Sequence, residues 1–145
     1  SVGVFDLPAV AARAQARFAS QGLSSRAQAY GGDFYEASLP EGVDLFTLVR
    51  VLHDHDDDKA KALLAKVYAA LPARGRLIIA EPMAQTPGAE PMGDAYFGLY
   101  LFAMGSGRPR PAEEIEAMLR AAGFAETKRI STPRPLLVRM IQARK

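Results

Sequence analysis

Two kinds of apolar pattern alternate along this chain. The first is the short run closed by a turn or an ionisable residue. Val2-Gly3-Val4-Phe5 closes on Asp6, Ala27-Gln28-Ala29-Tyr30 runs into Gly31-Gly32-Asp33-Phe34, residues 44–52 close on His53, and residues 76–81 close on Glu81. Runs of this length read as strands, and those at 44–52 and 76–81, apolar on both faces, read as strands of a parallel sheet covered by helices. The second pattern is apolar spacing of three and four residues. It predicts helices over 9–20, 60–71, 94–104 and 111–122, the last with Ile115, Met118 and Leu119 on one face. Leu7-Pro8 fits entry to the first helix, Asp56-Asp57-Asp58 the positive end of the second, and Gly123 the C-terminal cap of the fourth. Residues 125–130 and 136–143 read as an antiparallel pair joined through Ser131-Thr132-Pro133-Arg134-Pro135. The alternation predicts a doubly wound α/β sheet finished by an antiparallel hairpin, one domain over 1–145 with no repeats and no long linker.

Ligands of open α/β sheets sit beyond the carboxyl ends of the strands, and three ends here carry ionisable groups: Asp6, His53 and Glu81. His53 is placed to exchange a proton near neutral pH. Glu81, on the neighbouring strand, would fix its tautomer and stabilise the imidazolium if the carboxylate reached the second ring nitrogen. Asp6 suits the acid that holds ribose hydroxyls in nucleotide-binding α/β folds. Acids at helix starts are nevertheless common, and the five residues before Asp6 leave no room for a glycine-rich phosphate loop. Tyr96, Phe97, Tyr100, Phe102 and Met104 form a stripe that reads equally as a pocket wall and as ordinary core.

Composition narrows the chemistry. The chain has 145 residues, 49% apolar and 23% charged, the proportions of a single globular domain. Eighteen basic against sixteen acidic side chains leave a charge of +2, too small to argue for nucleic acid. With no cysteine, disulfides, thiolate metal sites and a cysteine nucleophile are excluded. His53-Asp54-His55-Asp56 has the spacing that opens a dinuclear hydrolase site, but no histidine follows His55, so the expectation is no metal. His55, inside a run of acids, reads as a solvated residue at a helix start. The longest mostly apolar stretch, 95–104, is about half of a bilayer-spanning helix, so no transmembrane segment is expected.

Taken in order, Phe5-Asp6-Leu7-Pro8, Gly31-Gly32-Asp33-Phe34, Val51-Leu52-His53-Asp54 with Asp56-Asp57, Leu71-Pro72 with Gly75-Arg76, Ala80-Glu81 and Ala122-Gly123-Phe124 resemble the later motifs of the S-adenosylmethionine-dependent small-molecule O-methyltransferases. Val51 to Asp57, Tyr96-Phe97-Gly98-Leu99-Tyr100 and Met104 to Arg110 resemble the carotenoid branch of that family, the hydroxyneurosporene and demethylspheroidene enzymes. The resemblance implies a class I methyltransferase Rossmann-like sheet in the strand order 3-2-1-4-5-7-6. Its first strand, its glycine-rich loop and an N-terminal helical dimerisation domain would lie before Ser1, making 1–145 the C-terminal portion of the catalytic domain.

By position, the resemblance gives S-adenosylmethionine as cofactor, with Asp6 on the ribose and Asp33 and Phe34 around adenine. It makes His53 the base, Glu81 its brace and Asp54 a position that can touch the substrate, and the substrate pocket is expected to be lined by Tyr96, Phe97, Tyr100 and Met104 of the stripe. His55 stands where the family usually has Trp, and Pro109 where plant members place a second acid beside the histidine. The implied substrate is a small lipophilic alcohol, a hydroxylated carotenoid, with phenolic or polyketide substrates as the alternative. A non-catalytic fragment or binding domain is the reading from another class. The implied setting is cytoplasmic, with homodimer formation through the N-terminal region and membrane association through the lipophilic substrate.

Overall fold

A computed structural model describes residues 1–134 and 137–145, which form two units, 1–41 and 42–145. In the first, β1 (Val2–Asp6) pairs in parallel with β2 (Ala27–Gly31), and α1 (Pro8–Ser20) packs on both strands, burying Ala11. Pro8 begins the helix where a missing N–H is harmless. Gly31 and Gly32 do more than mark a turn. A Cβ on Gly31 would lie 3.1 Å from Pro8 Cα, and one on Gly32 would lie 2.7 Å from Phe5 Cζ, so close packing requires both glycines.

The second unit holds β3 (Leu45–Val49), α2 (Asp57–Ala70), β4 (Arg76–Glu81), α3 (Phe97–Met104), α4 (Ala112–Ala121), β5 (Glu126–Ile130) and β6 (Arg139–Arg144). Its sheet runs β3-β4-β6-β5, with β3 and β4 parallel and β6 antiparallel to both neighbours. The orders β2-β1 and β3-β4-β6-β5 are the 3-2 and 4-5-7-6 portions of the expected sheet. Leu63, Leu64 and Val67 of α2, Leu77 and Ile79 of β4, Ile115 and Leu119 of α4 and Ile141 of β6 are almost wholly buried. This is the amphipathic burial that the three-and-four spacing foretells.

Four features differ from expectation. β3 stops at Val49 instead of 52 because Arg50 takes a positive φ of 54° while donating its N–H to Ala80 O, and Leu52–Asp54 form a short 3-10 turn. Leu45 and Val49 are exposed, since β3 is an edge strand with β4 as its one partner among the described residues. A π-helical turn, Pro91–Tyr96, leads into α3, so the helical segment begins three residues earlier than its apolar spacing suggests. The hairpin is present with β6 starting at Arg139; the expected start at Leu136, and Pro135 of the expected connection, lie outside the described residues.

Lys145 closes this unit at its C-terminus, donating from Nζ to Tyr68 O and Leu71 O in the last turn of α2. Gly123, beyond α4, has φ of 108°, and a Cβ there would lie 2.8 Å from Tyr68 Cζ. Gly123→Ala is therefore expected to lower stability by about 1–3 kcal/mol, read as a reduced urea midpoint at unchanged slope.

Candidate functional site

The parallel register of β3 and β4, with Val49 opposite Ala80, sets the turn at Leu52–Asp54 beside Glu81, the last residue of β4. Glu81 is fully buried. Its Oε2 accepts the His53 backbone N–H at 3.2 Å, and the Leu52 N–H also bonds to this carboxylate. The first amides of a helical turn have no carbonyl of their own to use, so the acid satisfies donors that burial would otherwise orphan. The expected contact of Glu81 with the imidazole is not the one seen. The carboxylate braces the main chain of His53, because the turn presents its free amides to the end of β4. Among the described residues, Glu81 Oε1 and His53 Nδ1 are buried without a hydrogen-bond partner.

The His53 side chain is 2% exposed, and its Nε2 lies 3.3 Å from Oδ1 of half-exposed Asp54. The Phe97 ring lies 5.6 Å from the imidazole, centre to centre, and carries the Arg50 guanidinium at 5.2 Å. Burial pushes the His53 pKa below its usual value; Asp54 opposes that shift, while Arg50, Arg110 and His55 add to it. Burial pushes Glu81 up to about 7, against the pull of the His53 N–H, Arg110 and the Leu52 N–H. Burial at this site thus favours the neutral form of the imidazole.

Several residues that complete this arrangement carry no motif of their own. Arg110 is fully buried, donating to Leu52 O at 3.0 Å, to His55 O at 2.7 Å and to Asp57 Oδ1 through Nε and Nη2. Arg108 pairs with Asp57 and Glu114. These two arginines hold the Asp57 carboxyl down to about 2. Asp57 was legible as a helix-start acid; its partners lie more than 50 residues away, where sequence periodicity says nothing. Alternating Arg and Pro at 108–111 is the one local hint.

Of the expected pocket wall, Phe97 is buried against His53, and Tyr96 and Tyr100 meet its ring edge-on. Tyr96 also lines an open apolar groove of about 800 Å³ with Ala89, Pro91, Met92, Pro133 and Leu137. Phe102 and Met104 are exposed and do not form core. Among the described residues no three His, Asp or Glu side chains are grouped to hold a metal ion.

In the first unit, Asp6 ends β1 opposite Gly31, its Oδ1 accepting the Leu7 N–H and its carbonyl accepting the Gly32 N–H. Asp33 and Phe34 follow directly, Asp33 Oδ1 accepting the Tyr35 N–H at 2.8 Å. Two carboxylates and an aromatic ring at adjacent strand ends are the acceptors and the apolar surface that ribose hydroxyls and a purine need, so the residues present fit the adenosine half of the implied cofactor.

Residues 1–125 match the O-methyltransferase domain family, and the chain belongs to it. It is 45% identical over 140 residues to a demethylspheroidene O-methyltransferase of Rhodobacter capsulatus, covering 97% of this chain and 34% of that protein. It is 44% identical to the same-named protein of Cereibacter sphaeroides, covering 97% and 37%. Among solved structures, human N-acetylserotonin methyltransferase in complex with SAM matches with a TM-score of 0.85 at 28% identity, covering all of this chain and 40% of that one. The chain thus spans about a third of the length of the curated relatives it matches.

The Glu81 shift has a definite sign. Between pH 4.5 and about 7 the folded state binds a proton that the unfolded chain has lost, so this carboxyl costs stability progressively as pH rises through that window. His53 acts oppositely, costing stability as pH falls below 6.5. Glu81→Gln, which keeps an acceptor for the two amides, should gain on the wild type by on the order of 3 kcal/mol between pH 4.5 and 8, measured by urea unfolding at both ends.

Proposed function

We propose that this chain is the C-terminal portion of an O-methyltransferase catalytic domain, moving a methyl group from S-adenosylmethionine to a hydroxyl of a hydroxylated carotenoid or similar lipophilic alcohol. The observation that carries the reading is His53: a buried, neutral imidazole whose Nε2 stands beside Asp54 at the end of the β3 segment. Identity of 44–45% to two demethylspheroidene O-methyltransferases supports the substrate class. The aromatic surface of Tyr96, Phe97 and Tyr100 suits an apolar molecule.

Asp6 takes the ribose hydroxyls, and Asp33 and Phe34 take the adenine. When bound, the cofactor supplies an already activated methyl on a sulfonium, so the protein's tasks are alignment and proton removal. His53 Nε2 accepts the hydroxyl proton, and the Asp54 carboxylate stabilises the imidazolium that forms. A carotenoid alcohol is a far weaker acid than a phenol, so its proton leaves as the methyl arrives. Glu81 keeps His53 in place through the main chain, and Phe97 packs the ring from the side.

The chain upstream supplies a further strand and the phosphate-binding glycines. This part of the reading is supported by the chain's spanning about a third of the length of its curated relatives. A homodimer through that N-terminal region belongs to the same reading, as does cytoplasmic placement with membrane association through the substrate. No helix among the described residues is long and apolar enough to cross a membrane.

Calorimetry with S-adenosylmethionine on this chain and on a version extended upstream tests the cofactor assignment. Binding by the extended version is expected, while binding by neither favours a non-catalytic remnant. With hydroxylated carotenoids, mass spectrometry should show the product of methyl transfer, and phenolic alcohols should be poorer substrates. His53→Ala should cut kcat by roughly 10²–10⁴ while leaving cofactor affinity within threefold; wild-type turnover in that variant would remove the base assignment.

A further inference from the structure

Four consecutive carbonyls of the His53 segment are taken up by one stretch of chain, residues 106–110. Arg110 Nη1 donates to Leu52 O at 3.0 Å, Arg108 N to His53 O at 2.9 Å, Ser106 Oγ to Asp54 O at 3.1 Å and Arg110 Nη2 to His55 O at 2.7 Å. Gly107 N continues the series onto Asp56 Oδ1 at 2.9 Å. We propose that residues 106–110 are a template that shapes the turn carrying His53, with Gly107 and Arg110 as positioning residues for the methyl-transfer base. The inference rests on the proposed function for its catalytic consequence and on the hydrogen bonds alone for its geometry.

A three-residue 3-10 turn has few internal hydrogen bonds, of poorer geometry than those of an α-helix. Its internal bonds here are long, Asp54 N to Val51 O at 3.2 Å and His55 N to Leu52 O at 3.3 Å. The Arg110 fork grips one carbonyl on each side of His53, which limits rotation about the backbone bonds that aim its Cβ. Asp57 answers the guanidinium charge, so the arginine is buried without an uncompensated cation.

Gly107 supplies an independent observation. Its φ is 78°, and a Cβ would lie 2.1 Å from His53 O and 2.5 Å from the Asp54 carbonyl carbon. Both obstacles are main chain of the base-bearing turn, so a side chain at 107 must displace either the template or the turn. Displacements near 1 Å at a reacting group cost on the order of 10²-fold in rate. The residue therefore sets the distance between two loops as well as supplying the backbone conformation.

The test is made in the upstream-extended enzyme with Gly107→Ala, Arg110→Lys and Arg110→Met, each confirmed folded by circular dichroism. Methyl transfer is measured alongside the NMR shifts of the His53 ring. Gly107→Ala is expected to lower kcat at least tenfold with KM for both substrates within threefold, and to displace the His53 ring resonances. Arg110→Lys, which keeps the charge and one donor, should lose less than Arg110→Met. Should Arg110→Met fail to fold, Gly107→Ala and Arg110→Lys decide the matter. Unchanged kcat and unchanged ring shifts in those two variants would overturn the template. Absence of transfer by the unmodified enzyme counts against the proposed function instead, and the ring shifts then decide this inference on their own.

Discussion

A carboxyl group with no access to water at the end of β4 constrains everything around it. Glu81 cannot be buried there without donors, and the N–H groups of Leu52 and His53 supply them. Those same amides begin a turn too short to satisfy them internally. Acid and turn are thus mutually required: removing the carboxylate orphans two amides, and straightening the turn strands a buried acid. His53 is held at the strand end by this exchange, although its own ring makes no hydrogen bond to the acid.

The same burial acts on two groups of opposite charge type. It drives Glu81 toward its protonated form, up to about 7, and His53 toward its deprotonated form. Two neighbours then work against each other. Arg110 lowers both groups and so favours the proton-free pair, while Asp54 raises both and favours the loaded pair. Under the proposed reaction a base must be empty before the methyl transfer and able to hold a proton after it, and these opposed charges provide the two tendencies from opposite sides.

Much of this was legible in the sequence. The apolar runs closing on Asp6 and Glu81 located two strand ends, and helical spacing found the buried faces of α2 and α4, because burial imposes a period that residue order records directly. Other features have no period. The end of β3 depends on a positive φ at Arg50, a backbone state that arginine rarely adopts and that spacing does not signal. Arg110 reads as one more surface cation until the chain folds back across more than fifty residues to place it under His53. Gly31 and Gly32 were readable as a turn, but their actual constraint is contact with Pro8 and Phe5 on other elements. The Glu81 contact was anticipated between the right residues and on the wrong atom, since strand order fixes which residues are neighbours and the local turn fixes which of their atoms meet.

Arg110 and Asp54 act on His53 from environments of different exposure. Arg110 is wholly buried, so its influence on His53 is the same with or without substrate, whereas half-exposed Asp54 is screened by water. Under the proposed reaction, an apolar alcohol settling against Phe97 and Tyr100 excludes that water. The Asp54 carboxylate then acts on the imidazole through a less polar medium, and its attraction for a proton on Nε2 strengthens while the effect of Arg110 stays nearly constant. The base gains proton affinity as the hydroxyl is presented to it. An alcohol far less acidic than a phenol depends on that gain, and an exposed aspartate beside a buried histidine delivers it without any rearrangement of the protein.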